Sequence, residues 1–464
     1  MLSHLLAEER QIDVSLPLPS FPNLSRFNRA QSEPEGDFTM ARFDAACSAL
    51  RRQARQTFLS LSSRNFRCYV TGETISYCGS GMQTVAFSWL VYAMTHDARL
   101  LALCGVMSLA PMLLVGFGGG WLADLLDRRK ILMTSETAGA IQSALVAILI
   151  FTGHIAPWQL IGMSCLTGTR MAFDLPARQA FVSTLAGREA LANAQSISSS
   201  LTIASRTLGY ALGGVLIATA GAGTCFVIDA ASFVAALTAL VMIKTGSRRQ
   251  ESGADETAST RRDRVSNRQV VSIIWRNQQV RTTFLQTAAV FLTGTQFFIL
   301  LPVFATDVLA GGSTTLGLLN AAETIGAAAG ALILANRFKS ESSVGQRHLN
   351  RLMLVFAALL AAFALSAWAP LSLCLMVLIG CSLNSLLTAN NSMVQLAVPA
   401  ELRGRTRSIM LMIMSGAEAA GNLVVGWCAR LFGAPATLAV CAVLCAVAAL
   451  CLLRLQSRQD GTVA

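Results

Sequence analysis

Charged residues are scarce in this chain of 464 residues, since Asp, Glu, Lys and Arg make up 13% of it while hydrophobic residues make up 53%. Lysine is the rarest basic residue, and none of Lys130, Lys244 and Lys339 belongs to a Gly-Lys-Ser/Thr phosphate loop. The sequence also lacks His-Glu-x-x-His and Gly-x-Ser-x-Gly motifs. ATP-driven transport and metal-dependent hydrolysis therefore lack their chemistry in this chain, and we expect no enzyme.

Metal-ligand spacings are also missing. The twelve cysteines form no Cys-x-x-Cys pair, and the four histidines form no cluster with one another or with cysteine. All but one of the cysteines, from Cys68 to Cys451, lie in the apolar region, where free cysteine behaves as a small buried residue. We therefore expect no disulfide, no metal and no cofactor.

The net charge of +11 arises from basic residues in short stretches beside long apolar runs. This distribution is typical of the cytoplasmic loops of a membrane protein, and anionic lipid headgroups explain it better than nucleic acid does. We expect a multi-pass protein of the cytoplasmic (inner) membrane, with membrane lipids and no nucleic acid among its partners.

Twelve apolar runs are long enough to cross about 30 Å of hydrocarbon as helices. They are Arg67–Ala93, Leu100–Leu122, Ile131–Phe151, Trp158–Phe173, Ala190–Thr219, Thr224–Ile243, Phe284–Val308, Leu316–Ala335, Leu349–Trp368, Ser372–Leu396, Ser408–Ala429 and Thr437–Leu453. The sequence thus predicts an all-α membrane protein with twelve transmembrane helices.

Alternate connections between these runs are rich in charge, whereas the others have Arg99 and Arg430 as their basic residues. An even number of spans with this alternation places both termini in the cytoplasm. The predicted organisation is a disordered cytoplasmic tail over 1–64, six-helix halves over 65–245 and 281–455, a cytoplasmic linker over 246–280 and a tail over 456–464. Two interpretations of the first tail stay open: its end, from Phe38 to Leu61, lies on the membrane as a helix, or the protein begins at Met40.

The two halves can be compared by shifting the numbering by 212. The shift places Gly105, Gly118 and Asp124 on Gly317, Gly330 and Asn336, and it places Gly209 and Gly214 on Gly421 and Gly426. Because one ungapped register relates two distant stretches, it indicates duplication, although chance identity among small residues is the alternative. Two parallel six-helix repeats favour a transporter with alternating access over a channel or a receptor.

The connection between the second and third runs, residues 118–130, contains Gly-x-Leu-Ala-Asp-x-x-x-Arg-Arg-Lys. This pattern resembles the loop motif between helices 2 and 3 of the major facilitator superfamily of secondary transporters. The matching residues are Gly120, Leu122, Ala123, Asp124, Arg128 and Arg129. Leu125 and Asp127 replace the usual basic residue and glycine, and an ordinary basic loop of another membrane protein is the alternative.

Further segments are similar to the enterobactin-exporter-like branch of that superfamily. They are Phe173–Ala180, Leu191–Ala194, Arg206–Gly214 and Pro399–Arg405. Arg206–Gly214 is also similar to the antiporter motif of helix 5, with Tyr210 in place of its usual proline. The resemblance implies the major facilitator fold, with two pseudo-symmetric halves, and it assigns gating roles to Gly209, Gly213, Gly214, Arg403 and Arg405 besides the loop motif.

Charged side chains within the spans are functional candidates, because the bilayer penalty must be offset by a partner, a cavity or neutralisation. The candidates for proton coupling are Glu323, Glu418, Arg206 and Glu73. Since helices 5 and 8 face each other in this superfamily, Arg206 and Glu323 could form a pair that gates and takes up a proton. A permanently paired or protonated structural carboxyl is the alternative for each, and we favour that structural role for Glu136 and Asp229.

Helices 1, 4, 7 and 10 line the cavity in the superfamily. This nominates Gln83, Arg170, Gln296, Asn384, Asn390 and Asn391 as substrate-facing groups, in addition to Glu73. Each could instead bond a neighbouring helix, and the spacing of Arg170 and Asp174 favours an ordinary i,i+4 pair.

The resemblance implies a monomeric exporter of a small molecule, driven by proton antiport. A siderophore is the leading cargo, and multidrug efflux of lipophilic compounds is the alternative. The polar cavity candidates favour the siderophore, whereas Phe297, Phe298 and Phe304 favour the drugs. The resemblance also leaves room for a periplasmic or outer-membrane efflux partner.

Overall fold

Every predicted run coincides with a helix in the computed structural model of the chain, although the ninth, Leu349–Trp368, continues four residues beyond the end of its helix at Ala364. The structure describes residues 59–125, 127–243, 272, 275–338, 345–399 and 402–463, except the side chains at 59, 62, 115–125, 187–189, 335–338 and 457–463. Most of the predicted first tail and of the predicted linker lies outside the described residues. The side chain of Asp124 and the burial of Gly120 also lie outside what the structure describes.

The helices are numbered here in chain order. They are α1 (Arg64–Thr95), α2 (Ala98–Leu125), α3 (Arg128–Phe151), α4 (157–189), α5 (Ala190–Ala220), α6 (Ala222–Met242), α7 (Gln278–Val308), α8 (Gly312–Phe338), α9 (Gln346–Ala364), α10 (Ala369–Ala397), α11 (Arg403–Phe432) and α12 (Ala434–Val463). Nine segments of the described chain, α3 and α5 to α12, are long and apolar enough to cross a membrane. The chain from Ser60 onward forms one compact unit.

α4 and α5 form one continuously helical range, Pro157–Ala220, yet the chain reverses direction within it. Gln142 Nε2 donates to the carbonyl oxygen of Met163 (2.9 Å) near the start of the range, and Gln83 Nε2 donates to the adjacent Ser143 Oγ (3.2 Å). Gly213, near the end of the range, packs against Met82. A straight helix would separate residues 163 and 213 by about 75 Å, so α4 and α5 must lie side by side.

The prediction that the fourth span ends at Phe173 and is followed by a loop is wrong. The helix continues through Pro176 and beyond Arg178. The charged residues of this segment do not end the helix, because Asp174 and Arg178 are paired inside the first half.

The first and second halves meet through two related contacts. A methyl group added at Gly105 on α2 would lie 3.0 Å from Asn422 Nδ2 on α11, and one at Gly317 on α8 would lie 2.5 Å from the carbonyl oxygen of Tyr210 on α5. Shifting the numbering by 212 converts the first pair into the second. The duplication predicted from the sequence therefore reappears as equivalent packing between the halves.

Hydrogen bonds between described residues of the two halves lie at one end of the bundle. We call it the short-loop end, because it carries the tight connections after α1, α5, α7 and α11. The bonds join Tyr92 to Asp307, Arg430 to Asp97 (3.1 Å) and Ser313 Oγ to the carbonyl oxygen of Gly214 (3.1 Å). In this conformation the described side chains thus fasten the halves together at the short-loop end.

The opposite end, which carries the connection between α6 and α7, is called the linker end. Here each half has its own apolar cluster, one containing Phe66 and Phe181 and the other containing Phe284 and Val398. The largest apolar cluster, in contrast, contains residues of both halves. The core is thus shared in one part of the bundle and divided between the halves at the linker end.

Candidate functional site

A buried arginine on α4 gathers three carboxylates from the first half. The guanidinium of Arg178 forms ion pairs with Glu73 on α1, with Glu136 on α3 and with Asp174 one turn earlier on α4. Arg178, Glu73, Asp174 and Glu136 are 8%, 8%, 6% and 1% exposed. The fork of N–H donors allows one guanidinium to serve several carboxylates, which a lysine ammonium does less well. We call this set the Arg178 cluster.

Aromatic and hydroxyl groups complete the surroundings of the Arg178 cluster. The guanidinium carbon of Arg178 lies 5.3 Å from the centre of the Tyr77 ring, within the range of a cation–π interaction. Ser76 Oγ donates to Glu136 Oε2 over 3.4 Å. Asp174 Oδ1, however, is buried without a hydrogen-bond partner. The cluster thus retains an acceptor that can bind a proton.

A second acid, Asp229 on α6, is fully buried next to α3. Ser143 Oγ donates to Asp229 Oδ2 (2.5 Å) and accepts a hydrogen bond from Gln83 Nε2 (3.2 Å). Asp229 Oδ1 has no hydrogen-bond partner. A chain of polar groups therefore connects α6 to α1 through α3.

Gln83 also lines a cavity of about 300 Å³ between α1, α2, α3, α4, α6 and α7. Its lining is mostly apolar and includes Phe87, Phe226 and Phe298, and Ser164 is among its polar groups. A pocket with mostly apolar walls and a few placed polar groups suits a small organic molecule. The polar chain from Asp229 thus ends at a cavity of the right kind for cargo.

The remaining cavity candidates are engaged with neighbouring groups in this conformation. Gln296 and Asn390 are fully buried, and their amides donate to the carbonyl oxygen of Phe291 and to Thr287. Asn384 donates to the carbonyl oxygen of Ala327 on α8, and Asn391 accepts from Gln395 one turn away. Glu73 belongs to the Arg178 cluster. Of the predicted substrate-facing groups, the described part of the chain places Gln83 alone on the cavity wall.

Arg170 does not form the predicted i,i+4 ion pair with Asp174. Asp174 instead pairs with Arg178, one turn further along α4. The guanidinium carbon of Arg170 lies 4.9 Å from the centre of the Phe233 ring on α6. Arg170 thus contacts an aromatic face and forms no ion pair with Asp174.

The prediction of an ion pair between Arg206 and Glu323 is wrong for this conformation. Although α5 and α8 pack closely at Gly214 and Gly317, the guanidinium carbon of Arg206 lies 5.7 Å from the ring centre of Tyr210 on its own helix. Glu323 accepts a hydrogen bond from Thr324 (3.3 Å). The side chain of Arg206 thus lies along α5 and forms no ion pair with Glu323. Glu418 is half-buried on α11.

The arginines of the loop motif bind within the first half. Arg128 donates to Thr184 on α4 (3.3 Å), and Arg129 donates to the carbonyl oxygen of Leu240 (2.9 Å) at the end of α6, where a cation is favoured by the helix dipole. Asp127, which replaces the usual glycine of the motif, caps α3 by accepting from the backbone N–H of Arg129 (3.0 Å). The departure from the motif thus has a local structural role.

The gating candidates outside that loop lie at helix contacts or helix ends. Gly209 and Gly213 pack against α1, and Gly214 packs against α8. Arg403 donates to the carbonyl oxygen of Val398 (3.3 Å), and Arg405 is half-buried in the first turns of α11. Their gating roles stay predictions.

Sequence reasoning missed Arg178 and Ser143. The predicted fourth span ends before Arg178, so the sequence predicts a loop at this residue. Its spacing of four residues from Asp174 and eight from Arg170 places the three on one face of a helix, and this was the available signal. Ser143 gave no signal, because a serine in an apolar helix is common.

Two repeated six-helix halves that enclose buried charges and a small-molecule cavity define a secondary transporter of the major facilitator superfamily. The chain belongs to the transmembrane secretion effector family, whose model matches residues 55–462.

Two relatives are similar over most of their length. A staphyloferrin A transporter of Staphylococcus aureus is 24% identical over 374 residues, which cover 80% of this chain and 91% of that protein. The multidrug efflux pump Tap of Mycolicibacterium fortuitum is 26% identical over 375 residues, which cover 77% and 88%. Among solved structures, the nucleoside transporter NupG has a similar fold, with a TM-score of 0.67 at 13% identity and coverage of 84% of this chain and 98% of that one.

Proposed function

We propose that this protein exports a siderophore from the cytoplasm in exchange for protons. The observation that supports a siderophore as the cargo is the similarity to a staphyloferrin A transporter over 91% of that protein's length. Siderophores are polar and too large to leak through a bilayer, so a cell that makes them needs an exporter. Gln83 and Ser164, which both line the cavity, offer hydrogen bonds to such a cargo.

The orientation follows from the distribution of arginine. Described arginines at the linker end include Arg128, Arg129, Arg347 and Arg351, whereas the short-loop end has Arg99 and Arg430. Because basic residues accumulate on the cytoplasmic side, the linker end faces the cytoplasm and both termini lie there. The bonds at the short-loop end then close the cavity on the outer side, which is the state that receives cargo from the cytoplasm.

Efflux of lipophilic drugs is the second candidate, and the wall of the cavity favours it. Phe87, Phe226 and Phe298 offer aromatic faces to an apolar or cationic compound. The similarity to the multidrug efflux pump Tap points the same way.

Deletion of the gene in an iron-starved culture tests the cargo. We expect less siderophore in the medium and more inside the cells, with both restored by the wild-type gene. If secretion is unchanged and the deletion strain becomes sensitive to dyes or antibiotics, the siderophore proposal is contradicted and drug efflux is supported.

The motif acid Asp124 lies outside the described side chains, and its role stays a prediction from the resemblance. We expect Asp124→Asn to abolish restoration of secretion in the deletion strain while leaving membrane insertion intact, because the acid is expected to clamp the halves on the cytoplasmic side. Leu125→Arg, which introduces the usual basic residue, is the matched control and should restore secretion fully. If Asp124→Asn restores secretion to within about twofold of the wild-type level at equal abundance, a difference of roughly 0.4 kcal/mol, the clamping role of the acid is contradicted.

A further inference from the structure

We propose that the Arg178 cluster is the exchangeable proton site of this transporter, in preference to Glu323 and Glu418. The proposal rests on the proposed proton exchange, and it adds the location of the proton. The site consists of the carboxyl groups of Glu73, Glu136 and Asp174 around one guanidinium.

Charge balance is the first argument. Asp229 is a fourth acid next to the site. The other titratable or charged groups that face the site are Tyr69 and Tyr77 on α1, Arg170 on α4 and Arg206 on α5. Even with both additional arginines counted, four carboxylates exceed three guanidinium groups. A surplus charge away from water costs several kcal/mol, and a carboxylate avoids that cost by binding a proton. The site therefore holds at least one proton in this conformation.

The arrangement of acceptors is the second argument. Asp174 Oδ1 and Asp229 Oδ1 are buried without hydrogen-bond partners. A carboxyl that has bound a proton becomes a donor and can use such an acceptor. These two oxygen atoms are thus available to hold a proton in this conformation. No group of three or more His, Cys, Asp or Glu residues in the described part of the chain is arranged to hold a metal ion instead.

Connection to the cavity is the third argument. Glu136 lies two turns before Ser143 on α3, and Ser143 bonds both Asp229 and Gln83. Gln83 faces the cavity. Cargo that bonds Gln83 competes with Ser143 for its amide, so occupation of the cavity changes the hydrogen bonds of the neighbouring acid. The hydrogen bonds of the described residues join neither Glu323 nor Glu418 to the lining of this cavity.

The test reads the proton directly and needs no cargo. Purified full-length protein in lipid is titrated between about pH 5 and about pH 9, a range that spans ordinary and strongly shifted carboxyl groups, and the carboxylic-acid C=O band is followed by infrared difference spectroscopy. In the wild type we expect a band that disappears as pH rises. Glu136→Gln should remove half or more of its amplitude, and Glu418→Gln should leave it unchanged.

Glu73→Gln provides a second variant at the less buried edge of the site, in case Glu136→Gln does not fold. It should shift the midpoint of the band, because it removes one of the four carboxylates that surround the guanidinium groups. A wild-type band in both variants, or a band lost in Glu418→Gln or Glu323→Gln instead, would overturn the proposal. A different result separates this proposal from the proposed function. If Glu136→Gln loses the band but transport by the wild type does not depend on a proton gradient, the proton site is supported and proton-coupled export is contradicted.

Discussion

Replacement of Arg178 by alanine should remove most of the folded protein from the membrane. The substitution leaves Glu73, Glu136 and Asp174 buried without their common cation. Removal of one partner from a buried ion pair costs about 3–5 kcal/mol, which is a large part of the roughly 5–15 kcal/mol that stabilises a typical protein domain. Abundance in the membrane and thermal unfolding of the purified protein are the measurements.

The matched control is Arg128→Ala, because Arg128 is an exposed arginine of the same half with bonds to Thr184 and to a carbonyl oxygen. Its effect should stay within about 1 kcal/mol. Arg178→Lys should recover part of the stability, since a lysine ammonium restores the charge without the fork of donors. Combining Arg178→Ala with Glu73→Gln and Glu136→Gln should recover part of it as well. Wild-type stability of Arg178→Ala would show that the ion pairs contribute nothing.

The second large effect is expected at Gly214, where α5 of the first half touches α8 of the second. An added methyl group would lie 2.7 Å from the carbonyl oxygen of Ser313 and 3.0 Å from Gly317 Cα. Because both atoms belong to the backbone, the helices must separate, at a cost of about 1–3 kcal/mol for an overpacked contact. Gly214→Ala should therefore shift the population away from closure at the short-loop end by roughly 5- to 150-fold.

Labelling of a single cysteine introduced at Ser88 measures this shift, because Ser88 lines the cavity between α1 and its neighbours. A thiol reagent that cannot cross the membrane, applied from the outer side to protein without its native cysteines, should react faster in Gly214→Ala than in the parent. Gly416→Ala makes the same change on α11 at a position where the added methyl group has no neighbour within 4 Å, so the labelling rate should not change. Equal rates in all three proteins would contradict the role of the Gly214 contact.

The fold was largely predictable because apolar runs of about twenty residues have few alternatives to crossing a membrane as helices. The shift of 212 also predicted contacts: Gly105 and Asn422 correspond to Gly317 and Tyr210, and both pairs lie between the halves. The predicted end of the fourth span is wrong, because charged residues are typical of loops but do not by themselves end a membrane helix. In α4, ion pairs to α1 and α3 keep the charges of Asp174 and Arg178 inside the bundle.

The candidate site was predictable only in part. Glu73 and Gln83 were nominated because α1 lines the cavity in the superfamily, and the structure places Gln83 on the cavity wall and Glu73 in the Arg178 cluster. Pairing between helices depends on rotation and on side-chain direction, which the sequence does not contain. For this reason Arg206, expected to reach Glu323, lies against Tyr210 instead, and Glu136 joins an ion-pair cluster that its position in the sequence did not indicate.

Transport in membrane vesicles of opposite orientation tests proton-driven export most directly. Inverted vesicles with an acidic interior should accumulate the siderophore, and a protonophore should abolish the accumulation. Right-side-out vesicles with an acidic exterior, which have the orientation and the gradient of the cell, should expel preloaded siderophore. Retention of preloaded siderophore in these vesicles, or accumulation in inverted vesicles that survives the protonophore, would contradict an exporter driven by proton exchange.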